Sequence, residues 1–274
     1  MSDILQYGFM QRALIAGAVI GVICAVVGVY VVLRGMAFIG AGIAHASFGG
    51  VALGVLLGIN PVVAALVFCL IIAWGIGILA RKGEVREDIS IGVFFAATMA
   101  LGILVIGLTK GYQVDLFGYL FGSILAVTPQ DLWISLILGA VVLSVVGLFF
   151  KDLLFITFDS EMAEVAGLPA ERLHFVLLGL ISLTVVLSMK VVGIILVSAL
   201  IITPAAAAYQ LTEDFRKMMA LAVLIGVLAA TLGLLLSYWL NTASGATIVL
   251  LATFFFLASV ALSPRRLRWF FKAR

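Results

Sequence analysis

Ala13-Leu-Ile-Ala-Gly-Ala-Val-Ile-Gly-Val-Ile-Cys-Ala-Val-Val-Gly-Val-Tyr-Val-Val-Leu33 carries no charge, no proline and hardly a polar side chain. As a helix rising ~1.5 Å per residue, it is long enough to cross the hydrocarbon of a bilayer. It forms the body of a first span near 11–33. The same signature recurs near 38–58, 61–80, 89–109, 131–150, 171–189, 191–209, 217–240 and 244–263. A further apolar stretch, Leu116 to Val127, is short for a crossing. It reads as an interfacial, re-entrant or broken helical segment held within protein. These runs are continuous and do not alternate, which excludes the strands of a membrane barrel.

Composition agrees. Of the 274 residues, 65% are apolar and 11% charged, against roughly 45–50% and 25% in soluble domains. A water-soluble fold of this size has nowhere to hide so much apolar surface, so lipid is its solvent. The net charge of +3 gives no reason to invoke nucleic acid. Cys24 and Cys69 stand alone in apolar runs, without metal-ligand spacing, and read as packing residues. Met1-Ser2-Asp3-Ile4-Leu5 lacks the basic start and cleavage site of a secretory signal, so the first span is expected to be retained. The expectation is one transmembrane domain over 1–274.

Basic residues orient the bundle. If the Arg81-Lys82-Gly83-Glu84-Val85-Arg86 loop is cytoplasmic, alternation puts Arg34, Lys151, Arg172, Arg216, Lys217, Arg265, Arg266, Arg268, Lys272 and Arg274 inside too. That is thirteen of the sixteen basic residues; only Arg12, Lys110 and Lys190 fall outside. The bias predicts an outside N-terminus and a cytoplasmic C-terminus in the cytoplasmic (inner) membrane of a bacterium or archaeon. Gly17, Gly21 and Gly28 in the first span, and Gly50, Gly54 and Gly58 in the second, are spaced for close helix approach.

The substantial cytoplasmic element is the connection Lys151 to Pro169. Asp159 or Ser160 is suited to cap a helix, Glu161 and Glu164 favour its first turns, Gly167 suits a left-handed stop, and Pro169 prevents continuation. Over 159–168 this predicts a helix of about two turns with Met162, Val165 and Ala166 on one face. So short a helix is marginal alone. It is either a connector or a docking helix that fits a groove on a soluble subunit.

Three stretches carry a family resemblance. They are Glu161-Met-Ala-Glu-Val-Ala-Gly167-Leu-Pro169, Val191-Val-Gly-Ile-Ile-Leu-Val-Ser-Ala-Leu-Ile-Ile-Thr203-Pro204-Ala-Ala-Ala, and Arg34-Gly-Met-Ala-Phe-Ile-Gly-Ala-Gly-Ile-Ala-His45-Ala-Ser-Phe-Gly-Gly-Val-Ala-Leu-Gly54. Together they resemble the permeases of ABC-type importers of zinc, manganese or iron. The resemblance implies an all-α polytopic bundle of about eight to nine spans, type II ABC importer-like, working as a homodimer. It further implies two cytoplasmic ATPase subunits that bind ATP and Mg, an extracytoplasmic metal-binding protein, and a divalent metal ion as cargo. Asp159, Glu161, Met162, Ala163, Glu164, Gly167 and Pro169 map onto the family's coupling helix. The chain itself has no G-x-x-x-x-G-K-[ST] phosphate loop, no HExxH and no GxSxG, and is expected to be a transport subunit, not an enzyme, with no cofactor of its own. Family members often carry an aspartate one turn before the second-span histidine; here that position is Ala41.

His45 is the residue on which a metal pathway would turn, since intramembrane ionisable groups mark ion routes and imidazole suits transition metals. Its alternative is a structural hydrogen bond to a neighbouring helix. Ser47, Ser198 and Thr203 are pathway candidates through their hydroxyls, and Pro204 is read as a break in the seventh span, or a tolerated kink. His174, with Arg172 beside the docking loop, reads as structural or interfacial. Glu84, Glu87 and Asp88 are expected to pair with Arg81, Lys82 and Arg86 in a solvated loop. Asp115, with Lys110, Tyr112 and Gln113, forms an outer rim, and the tail from Pro264 to Arg274, with Trp269, suits an anionic lipid surface. A gradient-driven secondary transporter or channel is the rival class, but it calls for carboxylates well inside a span, and the spans contain none there.

Overall fold

The structure, a computed structural model, describes residues 7–83, 85–108, 122 and 127–263. Glu84, the rim around Asp115, most of the Leu116–Val127 stretch and the basic tail lie outside the described residues. Among those described there is helix and no strand. Nine helices are long and apolar enough to cross a membrane. They are α1 (Gly8–Leu33), α2 (Ala37–Leu56), α3 (Pro61–Lys82), α4 (Glu87–Leu108), α5 (Pro129–Leu148), α8 (Ala170–Val192), α9 (Ile194–Leu211), α10 (Phe215–Leu240) and α11 (Ser244–Ala261). Two short helices, α6 (Phe150–Phe158) and α7 (Ser160–Val165), join α5 to α8.

Side-chain caps fix several of the helix starts. Asn60 accepts from Val62 N at 2.9 Å, with Pro61 opening α3. Thr128 and Asp131 form a reciprocal capping box at the start of α5. Asp214 accepts from Lys217 N at 2.9 Å and starts α10. Each cap satisfies amide donors that would otherwise be orphaned at a helix end.

α1 is the hub. It packs on α9 and α10 along one side and on α5 and α8 along the other, while α2 lies between α3, α4, α8 and α9. Apolar side chains gain nothing by leaving lipid for one another, so small residues at close crossings hold such a bundle by dispersion. A Cβ on Gly21 would sit 2.9 Å from the Gly226 carbonyl oxygen, and one on Gly28 would overlap the Ile201 carbonyl oxygen. Gly28→Leu is therefore expected to destabilise the protein by about 3 kcal/mol, since backbone cannot step aside. The check is thermal unfolding of the detergent-purified chain against Gly107→Ala, where a Cβ meets nothing within 4 Å. Gly58, spaced like Gly50 and Gly54, does not share their packing role: it takes φ +66° in the turn after α2 and faces open space.

α8 ends at Gly193, whose φ of +89° only a residue without a Cβ adopts readily. The backbone at Gly122 is packed against Val192 and Gly193 so closely that a Cβ there would run into them. Of the two readings of Pro204, the break is corrected and the tolerated proline stands: α9 runs unbroken from Ile194 to Leu211 through a buried Pro204, and the gap expected between the spans near 190 falls at Gly193. Proline removes the donor to the Leu200 carbonyl, but flanking turns carry the helix past it.

Candidate functional site: the short helix and the intramembrane histidine

Arg34, Arg81, Lys82, Arg86, Arg172, Arg216 and Lys217 all lie at helix ends on one side of the bundle, here termed the basic end. At that end α7 is only six residues long, and its boundaries are held by named bonds. Asp159 Oδ1 accepts from Met162 N at 2.8 Å. At the other end Leu168 N donates to Ala163 O at 2.9 Å and Gly167 N to Glu164 O at 3.0 Å, with Gly167 at φ +86°. This is the paired hydrogen-bond pattern of a Schellman stop, and Pro169 follows it.

The burial of α7 divides its residues by task. Ala163 is fully buried, so it seats the helix on the bundle and offers no surface to another molecule. Met162 is 55% and Val165 81% exposed, an apolar face left open at the surface. Glu161 and Asp159 are exposed beside it. Glu164 turns away from that face: its Oε1 accepts from Arg81 Nη2 at 2.8 Å, tying α7 to the end of α3.

The loop pairing expected within 81–88 holds for Arg86, which faces Asp88 at 3.9 Å, and is corrected for Arg81, which reaches Glu164 instead. Glu87 points inward, its Oε1 3.9 Å from Nε2 of a buried His174. Helix α4 starts at Glu87, which favours a carboxylate there and swings it toward α8. Arg34 joins this group and donates to Ile156 O at 3.5 Å. Burial pulls the Arg34 guanidinium below its usual pKa; the Glu87 carboxylate opposes that and the Arg81 charge adds to it. Sequence reasoning missed this cluster because its members lie on four helices, far apart in the chain.

His45 stands midway along α2, half-buried, on a face shared with Ala41 and the exposed Phe38. Its Nδ1 lies 2.8 Å from Ala41 O. A carbonyl oxygen only accepts, so Nδ1 is the donor; in the neutral imidazole Nε2 is then the lone-pair nitrogen, the form in which imidazole ligates a metal. The Phe95 ring, centroid 4.6 Å away, flanks it. Ser47 is fully buried and donates to Ala44 O at 2.5 Å; two residues along a helix, it faces away from His45. Ser198 donates to Ile195 O at 2.9 Å within α9, and Thr203 is half-buried beside Pro204. Helices α2 and α9 do pack, with Gly40 against Ile201. Among the described residues no hydrogen bond joins His45 to Ser198 or Thr203, and no three His, Cys, Asp or Glu side chains gather to hold a metal ion within one chain.

A polytopic helical bundle with a short capped helix at its basic end and one imidazole midway along a span is the architecture of a membrane permease. Residues 6–263 match the model of the ABC 3 transport family. The chain belongs to that family and is a permease subunit of an ABC transporter. It is 41% identical over 274 residues to the manganese transport system membrane protein MntC of Listeria monocytogenes, covering 100% of this chain and 98% of the relative. It is 35% identical to a probable iron transport system membrane protein of Haemophilus influenzae, covering 96% and 97%. Among solved structures it resembles PsaBC from Streptococcus pneumoniae in complex with Fab, with a TM-score of 0.88, 38% identity, and 99% and 98% of the two chains covered.

Proposed function

We propose that this chain carries a divalent transition metal ion (manganese, iron or zinc) into the cytoplasm as the membrane subunit of an ATP-driven importer. The basic end faces the cytoplasm of a bacterial or archaeal cell. Two ATPase subunits, which hold ATP and Mg, dock there; an extracytoplasmic metal-binding protein delivers the ion at the opposite end. The chain supplies conduit and lever, and the ATP chemistry belongs to its partner.

The observation that carries the reading is α7. It is a helix too short to persist unaided, capped at both ends, with Met162 and Val165 bare at the surface. An apolar pair held outward on a rigid mount suits insertion into a groove. Around the imidazole, the open face of α2 lies beside outward-facing Gly92, Ala96 and Ala100 of α4, small residues at helical spacing that suit a second copy across a two-fold axis. Two copies would bring two His45 imidazoles to one pathway. The manganese and iron systems among the relatives support a metal cargo. A route with so few ligands favours release over retention.

The test is ATP-dependent uptake into vesicles that hold the complete complex, with manganese(II), iron(II) and zinc(II) in competition. Uptake that needs ATP and the ATPase subunit, and that saturates with one of the three ions, supports the reading. Accumulation driven by a proton or sodium gradient without ATP overturns it in favour of a secondary transporter.

A further inference from the structure

Behind α7 lies a cavity of about 260 Å³ whose walls include Ser160 at the start of α7, His174 on α8, Arg34 at the end of α1, Arg81 at the end of α3 and Glu87 at the start of α4. Helix α7 packs on its chain neighbours α6 and α8, while the cavity separates its first residue from the ends of α1, α3 and α4. One link crosses the gap: the 2.8 Å ion pair from Glu164 to Arg81 is the single ion pair between α7 and a span among the described residues.

From Arg81 the path continues through packed backbone. Arg81 sits in the last turn of α3, which runs as one helix from Pro61 to Lys82. Farther along, α3 grips α2. A Cβ on Gly50 would lie 2.6 Å from Ala65 Cα, and one on Gly54 would lie 2.8 Å from Ala64 Cβ. Cys69 Sγ donates to Ile43 O at 3.5 Å in the same interface. Contacts this close leave α3 no room to slide or roll on α2 independently, because packed backbones repack in discrete steps. Ile43 is two residues from His45, and Gly50 is five residues beyond it.

We propose that the Glu164–Arg81 pair is a strut that passes displacement of α7 to α3, and through the grip of α3 on α2 to His45. The proposal rests on α7 being the docking helix. The two side chains are 37% and 51% exposed, so the pair adds little to stability and its loss leaves the fold intact. Its task is to define which way α3 moves when α7 moves.

The test is a charge swap in the complete complex in proteoliposomes. Glu164→Arg, Arg81→Glu and the double variant are compared by manganese(II) taken up per ATP hydrolysed, with zinc(II) in parallel, and by the amount of ATPase bound. Each single variant is expected to lower the ratio about three- to five-fold, the ceiling that an exposed ion pair of ~1 kcal/mol sets on coupling. The double variant is expected to recover at least half of the loss. Unchanged ratios in both single variants overturn the strut, and so does a swap no better than the worse single. If Glu164→Arg sheds the ATPase, Arg81→Gln decides instead, since it leaves Glu164 for the partner; an unchanged ratio there overturns the proposal. A wild-type chain that binds no ATPase overturns the docking reading and the strut with it, a result distinct from a bound ATPase whose coupling ignores the swap.

Discussion

Met162→Asp is expected to strip the ATPase from the complex and abolish uptake while the permease itself stays folded. Met162 is 55% exposed and sits one turn after the capping Asp159 and next to Glu161, so an added carboxylate meets water and disturbs no core. Its cost arises when a partner closes over it. A charge buried without a counter-ion in a docking groove weakens binding as the loss of a hot spot does, by about 2–4 kcal/mol, or roughly 30- to 1,000-fold. Val165→Asp, at 81% exposure on the same face, is expected to act alike. Met162→Leu keeps the apolar shape and is expected to be near neutral. Co-purification of the ATPase with each variant reads the effect directly, and thermal unfolding of the isolated permease controls for folding. A stoichiometric complex with Met162→Asp and normal uptake would show that this face is not where the ATPase binds.

The spans were legible in the sequence because hydrocarbon imposes one length and one composition. The stretches expected near 61–80 and 217–240 correspond to Pro61–Lys82 and Phe215–Leu240. The ends were set where Asn60-Pro61 and Asp214 offered caps, a signal local enough to read directly. The short helix α7 was legible for the same reason: Asp159, Gly167 and Pro169 act within a few residues of one another. Two things were hidden. The first was the residue at which the sixth and seventh spans part: the gap expected near 190 falls at Gly193, and a glycine's positive φ leaves no mark in the sequence, whereas Pro204 advertised a break that neighbouring turns absorb. The second was the partner of Arg81 at the basic end. Arg81 has three acids within seven residues, yet it chooses Glu164, 83 positions away. Pairing among exposed charges follows from which helix ends the fold brings together, and periodicity says nothing about that. Ser47 was misplaced by adjacency: a neighbour of His45 in sequence, it lies on the buried side of α2.

In the proposed pathway the metal chemistry turns on His45, half-buried on the open face of α2. His45→Ala removes the one imidazole that α2 contributes, and uptake is expected to fall at least ten-fold, a loss that even the outer partners of a metal ligand commonly command (about 10–100-fold). The side chain is half-buried and, among the described residues, hydrogen-bonds only to its own helix through Ala41 O, so assembly with the ATPase should survive. That separation distinguishes a ligand from a structural histidine, whose loss would lower stability and complex yield together. Ala41 extends the argument. It lies one turn before His45 on the same face, where a carboxylate and an imidazole at i and i+4 can grip one ion together. Ala41→Asp would add an oxygen ligand. Since carboxylate suits manganese and imidazole suits zinc, copper, iron and nickel, the variant is expected to shift competition in favour of manganese(II) over zinc(II), and to slow turnover as the site holds its ion more tightly. Competitive uptake by wild type, Ala41→Asp and His45→Ala in the same vesicles checks both effects. If uptake by His45→Ala equals wild type, the pathway does not run past α2, and a shift in selectivity with Ala41→Asp would have no geometric basis.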